Sequence, residues 1–451
     1  MENVIGKEYL RELGDGLVLR RSTPADAEAL EKFNAEIHGN PETGSPDVRV
    51  GVWTRDLLER PHPTFNHGDF TIVEDSGTGE IVSSLNLISQ VWTYEDVAFK
   101  VGRPELVGTR PEYRNRGLVR AQFELIHEWS AARGEQVQAI TGIPYFYRLF
   151  GYEMALDLGG ERLGYLPQVP KLKKDEQEPF SVRPAGLEDV AFISEVYQYG
   201  CKRSLISCTY DQALWCYELE GKSPDSVNRS ALGVIESLQG EPVGFLAHPP
   251  FNWAHGASMV ATLVELKSGV SWAEVAPSLV RYLKATGETN ASKEGKEPFG
   301  AFGFWLGSQH PIYEVLHDRL PRVRKPYAWY LRVPDLPGFL RLLTPVLERR
   351  LGESIMADHT GDLKLTFYQR GLWFSFDKGH ITRLESWRPE PTGNSGDAAF
   401  PGLSFLQLLF GYRSLDELDY AFPDCWWESG EARALLNVLF PKRPSNIWPV
   451  S

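Results

Sequence analysis

The feature that most constrains this chain is that its first two thirds read as one pattern written twice. LVLRRSTPADAEALEKF at 17–33 and FSVRPAGLEDVAFISEV at 180–196 are each a short apolar strand followed by a turn and an amphipathic helix with an Asp near its start. An Asp at that place suits a helix N-terminus, both as a cap and as negative charge against the positive end of the helix dipole. The blocks also close alike: GIPYFYRLFGYE at 142–153 resembles SQHPIYEVLHDR at 308–319. A duplication predicts two domains of one fold. Two segments rich in Pro or charge, LPQVPKLKKDEQEPF at 166–180 and RVPDLPGF at 332–339, read as linkers. They divide the 451 residues into expected domains at 1–170, 171–335 and 336–451, each long enough to bury a core.

The third block is written differently. DLKLTFYQ and LWFSFDK alternate apolar and polar residues across a QRG turn, and DKG makes the next turn. GLSFLQLLFGY at 402–412 reads as an apolar helix and ESGEARALLNVLF at 428–440 as a second one. The stretches 287–298 and 389–397 read as mobile loops. Four cysteines, Cys201, Cys208, Cys216 and Cys425, lack the spacing of a metal knuckle and read as reduced thiols. HPPFNWAH at 248–255 holds two histidines without further ligands, so no metal is expected. The net charge of −13 argues against a nucleic-acid partner and allows a cationic substrate. The N-terminal MENVIGKEYLRELGDG has no apolar signal core, and no apolar run approaches the ~20 residues that cross a bilayer, so a cytoplasmic protein free of the membrane is expected.

Against that acidic background, EYRNRGLVRAQFELIHEWSAARG at 112–134 gathers Arg114, Arg116 and Arg120 around Gly117. ELVGT before it reads as a strand. From Leu118 the apolar residues Val119, Phe123, Ile126 and Trp129 recur every three or four positions, one face of a helix, which Gly134 would end. The turn therefore delivers backbone N–H groups at the positive end of a helix, with guanidinium groups around them. A solvated basic turn would look the same in isolation. Strand, glycine turn and helix together point to a ligand carrying phosphates.

Arg114-Asn-Arg-Gly-Leu-Val119 resembles the pyrophosphate loop R/Q-x-x-G-x-G/A of the GCN5-related N-acetyltransferases, and FYRLFGYE resembles that family's F-Y-x-x-x-G-F/Y signature. Val119 replaces the usual small residue, as in the Eis (enhanced intracellular survival) subgroup, whose three-block plan the chain also resembles. The resemblance implies an α+β fold. Two tandem acetyltransferase folds, each a mixed sheet flanked by helices, would be followed by a domain like sterol carrier protein 2. It implies acetyl-CoA as co-substrate, with Val107, Gly108 and Thr109 receiving the pantetheine arm and thioester carbonyl. Arg114, Asn115, Arg116, Gly117, Leu118, Val119 and Arg120 would wrap the pyrophosphate, and Gly142 and Ile143 would line the thioester end. Tyr147 aligns with the general acid, and the C-terminal carboxylate, here of Ser451, with the base. The second block lacks the Arg-x-x-Gly loop, and Glu314 aligns with Tyr147, so that block is expected not to bind acetyl-CoA. The acceptor implied is a small polycationic amine, aminoglycoside-like or polyamine-like. Glu36, Asp47, Glu153, Trp53 and Trp92 lie in segments that could line its pocket without being assigned to it. A homo-oligomer, hexameric in relatives, is also implied. Protein lysine acetylation, and a non-catalytic role in binding acyl-CoA or lipid, are the alternatives.

Overall fold

The computed structural model describes residues 8–253, 257–295, 299–390 and 396–451. The chain opens with strands β1 (Tyr9–Gly14), β2 (Leu17–Arg21), β3 (Phe70–Asp75), β4 (Glu80–Tyr94), β5 (Val97–Thr109), β6 (Val137–Ile140), β7 (Glu153–Leu158) and β8 (Glu161–Tyr165). The helices 27–37 and 48–59 lie between β2 and β3, and the helix 118–132 between β5 and β6. The first predicted helix is built as its sequence suggests: Asp26 accepts from the backbone and hydroxyl of Thr23 and is gripped by the buried Arg20. Leu30 and Phe33 of that helix pack with Trp53, Leu57, Phe70, Ile72 and Val101 on one face of the sheet. Phe123, Ile126 and Trp129 of the helix 118–132 pack with Val73, Val82 and Leu87 on the other. Each such buried side chain contributes roughly 1.5–3 kcal/mol relative to leaving it exposed.

The second block continues with β9 (Phe180–Pro184), β10 (Ile206–Cys208), β11 (Ala231–Ser237), β12 (Pro242–His248), β13 (Ser258–Ala261), β14 (Leu263–Leu266), β15 (Ala301–Phe304), β16 (Arg322–Arg324) and β17 (Tyr327–Arg332), with long helices at 190–201 and 272–294. Strands are exchanged between the two blocks. β17 lies between β6 and β7, giving the order β1-β2-β3-β4-β5-β6-β17-β7, with β10 beside β4. β8 in turn joins the second block's sheet β13-β15-β8-β16, and β14-β12-β11-β9 forms another sheet. Boundaries at 170 and 335 therefore cut across two sheets. The linkers mark where the chain changes composition, whereas pairing depends on which edge is left open in space.

The third block holds β18 (Gly361–Thr366), β19 (Gly371–Asp377), β20 (His380–Trp387), β21 (Ala398–Ala399) and β22 (Trp426–Trp427) in one sheet, ordered β20-β19-β18-β21-β22. The hairpin and both its turns lie where the alternation placed them, with Lys378 and Gly379 at φ 48° and 82°. The expected helix at 402–412 is shorter, Phe405–Leu409, and its whole length is buried. The helix at 428–440 runs Gly430–Leu439, capped by Ser429. The stretch 287–298 is not a loop up to residue 294. The helix 272–294 passes through it, with Thr289 and Ser292 donating to carbonyls one turn back, and it ends at Gly295 with φ 58°. Residues 296–298, 391–395 and His255 of the two-histidine segment lie outside the described residues. All four cysteines are free thiols. Among the described residues no helix is long and apolar enough to cross a membrane, and no group of His, Cys, Asp and Glu could hold a metal ion.

Candidate active site

β5 and β6 pair in parallel only at Val101–Val137 and Gly102–Gln138. Beyond them the strands part. Leu106 stands at φ 53°, an outlier for a bulky residue, and the register with β4 slips at Ser84–Asn86. One edge of Leu106–Thr109 is thereby left without a strand partner. A Cβ on Gly108 would stand 2.6 Å from Ile37 Cγ2, so the helix 27–37 presses directly on this strand.

At the far end of β5 the chain turns through Arg114–Gly117 into the helix 118–132. Asn115 and Gly117 adopt φ 63° and 76°, a conformation that favours Asn and Gly. Gly117 is the N-cap, and no side chain accepts a hydrogen bond from the first-turn amides. They remain free to meet an anion. Among the described residues Arg114, Arg116 and Arg120 make no ion pair; Arg116 lies over the Tyr113 ring and Arg120 over Phe150. The cleft between β5, this turn and the segment after β6 is a cavity of about 770 Å³.

Of the cofactor residues expected from sequence, Val107, Gly108, Thr109, Arg114, Asn115, Gly117, Leu118, Val119, Arg120, Gly142 and Ile143 line this one cavity, and Arg116 alone does not. Tyr147 lines it too, in the helical turn 146–150. Its ring is 4% exposed, edge-on to Phe123 and Tyr330, and its hydroxyl makes no hydrogen bond with the described protein. Burial, with smaller contributions from Glu105 and Tyr330, pushes its pKa well above the ordinary phenol range. The phenol therefore keeps its proton at neutral pH. The turn that carries it is strained: Tyr145 stands at φ 70°, its N–H donating to the Tyr330 hydroxyl at 2.6 Å. Tyr330 sits on the exchanged strand β17, so the second block helps to hold the first block's tyrosine.

Ser451 does not line the cavity. It is 7% exposed, and Lys222 Nζ donates to its hydroxyl at 3.1 Å. The Val450 carbonyl accepts from Gln90 and Arg103, both at 2.7 Å. Arg103 also grips Glu105 at 2.5 Å, and Glu105 does line the cavity. The chain end is thus buried one ion pair behind the wall. The possible pocket residues are all engaged elsewhere or buried: Glu36 pairs with Arg110, Asp47 caps the helix 48–59, Glu153 pairs with Arg148, Trp92 donates to Gln90, and Trp53 is in the core. His38, Glu105, Arg103 and Tyr330 went unmarked in the sequence. They meet this region through contacts distant in the chain, which no local motif marks.

The second block has a comparable cleft of about 670 Å³, lined among others by Glu265 of β14, Leu306, His310, Glu314 and Trp448. The alignment of Glu314 with Tyr147 needs correcting. Glu314 is an exposed wall residue, and the buried tyrosine of that turn is Tyr313, whose hydroxyl donates to the Phe304 carbonyl and accepts from Leu306 N–H, each at 3.0 Å.

Residues 21–155 match the family model of the acetyltransferase (GNAT) domain. The first block is an acetyltransferase domain and the protein an acyltransferase, with acetyl-CoA the co-substrate that this domain implies. No curated protein sequence matches the chain. Among solved structures, a conserved protein of unknown function from Enterococcus faecalis V583 is similar at TM-score 0.64 and 12% identity, covering 96% of this chain and 100% of that one. A GCN5-related N-acetyltransferase from Kribbella flavida is similar at TM-score 0.61 and 18% identity, covering 100% of each chain. Eis1 from Mycobacterium abscessus is similar at TM-score 0.58 and 14% identity, covering 95% of this chain and 99% of that one. At these identities the likeness is one of fold, and it extends over all three blocks.

Proposed function

We propose that the protein transfers acetyl from acetyl-CoA directly to a primary amine of a small polycationic molecule, in a complex that holds both. The observation that carries this reading is the open helix N-terminus at Gly117 with unpaired Arg114, Arg116 and Arg120 around it, at the mouth of the cavity that Tyr147 lines. The arginines and first-turn amides hold the pyrophosphate. The free edge of Val107–Thr109 receives the pantetheine arm and polarises the thioester carbonyl. The amine nitrogen bonds to that carbonyl carbon, the C–S bond breaks, and Tyr147 gives its proton to the departing thiolate. The net charge of −13 supports a cationic acceptor, aminoglycoside-like or polyamine-like.

The amine must also lose a proton. The family resemblance gives that task to the carboxylate of Ser451. In support, residue 451 is buried, and Arg103 links the adjoining carbonyl to Glu105 on the cavity wall. On this reading the third block, sterol-carrier-like in sequence, is the frame that seats the chain's last residues. A thiol-release assay with acetyl-CoA and a panel of aminoglycosides, polyamines and lysine peptides tests the function; release with none of them refutes it, and release with lysine peptides alone moves the acceptor to protein. Extending the chain by a few residues beyond Ser451 is expected to cut turnover by about 10²-fold or more; a fully active extended enzyme excludes the carboxylate.

A further inference from the structure

We infer that Lys222 of the second block is a positioning residue for acetyl transfer: it fixes Ser451 so that the terminal carboxylate keeps one direction. The inference rests on the reading of that carboxylate as the base. It gives the second block, which is expected not to bind acetyl-CoA, a task in the reaction.

The last residues of the chain run through the second block. The Leu205 amide donates to the Pro444 carbonyl at 2.8 Å, and the Ile206 amide to the Ser445 hydroxyl at 3.1 Å. The Trp448 ring stacks on Trp215, 5.8 Å between centroids, and lies 5.1 Å from Tyr210. Ser451 is then held on two sides. On one, the Val450 carbonyl accepts from Gln90 and Arg103 of the first block's sheet. On the other, Lys222 Nζ donates to the Ser451 hydroxyl at 3.1 Å. An L-configured Cα whose peptide and side chain are both fixed leaves one direction for its carboxylate.

Lys222 is itself fixed. It is buried, and Nζ also donates to Glu218 and to the Asn228 carbonyl, the latter at 3.2 Å. Glu218 is likewise buried, on the helical turn Tyr217–Gly221. Burial draws the Lys222 ammonium's pKa down, and Glu218 opposes it. A buried ion pair is costly, and apolar side chains would fill such a place at lower cost; the donor that Glu218 and the carbonyl leave over goes to the chain's last residue. The segment is also fastened to the first block. Ser223 donates to Asp56 through both its amide and its hydroxyl, and Arg60 donates to the Gly221 carbonyl at 3.1 Å. His62 closes the seat, edge-on to Tyr217, with Nδ1 accepting from Thr64 N–H. Burial and Lys222 push its pKa down to about 4, against the Ser451 main-chain oxygen, so the ring is neutral at pH 7.

In the step served, an N–H bond of the acceptor ammonium breaks and its proton passes to the carboxylate. The freed nitrogen pair bonds to the thioester carbon, the C–S pair leaves on sulfur, and Tyr147 protonates that sulfur. Lys222 acts on the carboxylate and not on the reacting atoms.

The test uses the full chain with acetyl-CoA, and kanamycin and spermidine as acceptors. Lys222→Met is expected to lower kcat by about 10–10²-fold while the KM for acetyl-CoA stays within about twofold. Because that variant leaves Glu218 buried without its partner, Lys222→Met/Glu218→Gln, which removes both charges, is measured beside it. The same split between kcat and KM is expected there, and acetyl-CoA affinity verifies folding. Ser451→Ala keeps the carboxylate but loses the hydroxyl that Lys222 holds, and is expected to lower kcat by about 3–10-fold. In the chain extended beyond Ser451 the base is already lost, so adding Lys222→Met is expected to change the rate by less than about threefold. A merely structural role would instead multiply with the extension. The inference is overturned if the single and double variants both turn over within twofold of the unaltered enzyme, if Ser451→Ala is fully active, or if the losses multiply. A fully active extended enzyme removes this inference together with the carboxylate. An inactive extended enzyme with unaffected Lys222 variants removes this inference alone and leaves the carboxylate as base.

Discussion

The two clefts of this chain, about 770 and 670 Å³, are built from corresponding parts and differ in what their polar groups are doing. Each lies beside a strand that leads into a long helix, and each is closed by a short helical turn bearing a buried tyrosine. In the first, among the described residues, the helix begins at an uncapped Gly117 and the Tyr147 hydroxyl has no protein partner. In the second, Ser271 caps the helix 272–294 by accepting from Glu274 N–H, and Glu274 itself puts negative charge in the first turn. Tyr313 bonds to backbone on both sides of its hydroxyl, and both ring nitrogens of His310 meet backbone, at 3.2 Å each. Glu265 is held by Arg203. The two clefts share a shape but not the polar groups left open. A cleft is therefore judged by which of its donors and acceptors the protein itself leaves unmet.

The comparison breaks first at the cofactor. Gly117→Glu is expected to abolish acetyl-CoA binding, since a β carbon at φ 76° strains the turn and a carboxylate meets the pyrophosphate. Calorimetry on the unaltered chain is expected to find one site, lost in the variant; two sites would mean that the second cleft also binds. Next come the tyrosines. Tyr147→Phe is expected to lower kcat by about 10²–10⁴-fold with little change in acetyl-CoA affinity. Tyr313→Phe is expected to leave kcat unchanged and cost about 1–3 kcal/mol in denaturant melts, because the Leu306 amide loses its acceptor. Equal kinetic effects would end the distinction. The smallest effect is sharpest: Ser271→Ala is expected to cost about 1 kcal/mol of stability and to leave acetyl-CoA affinity untouched. A gain of acetyl-CoA binding at a second site would show that the cap alone closes that cleft.

Much of the first cleft was legible in the sequence because many of the residues that line it are neighbours in the chain. Arg114–Arg120 are consecutive, their apolar spacing declares the helix that follows, and Val107–Thr109 immediately precede the turn. The stretch 287–298 was misread because its Gly, Thr, Asn and Ser favour turns when weighed alone; in the folded chain Thr289 and Ser292 bond to the helix's own carbonyls, and Ala291 packs on the second block's core.

What the sequence by itself determined was the strand, turn and helix that open each of the first two blocks, the hairpin of the third, and the glycine turn with its three arginines. These depend on residue spacing over one or two turns of chain. The tertiary structure decided the rest. The exchange of β8 and β17, the seating of Tyr145 on Tyr330, the placing of Ser451 behind Arg103 and the approach of His38 to the bulge at Leu106 all join residues remote in the chain. Such contacts are set by which edges and apolar faces remain to be covered once the local elements have formed, and no periodicity along the chain records them.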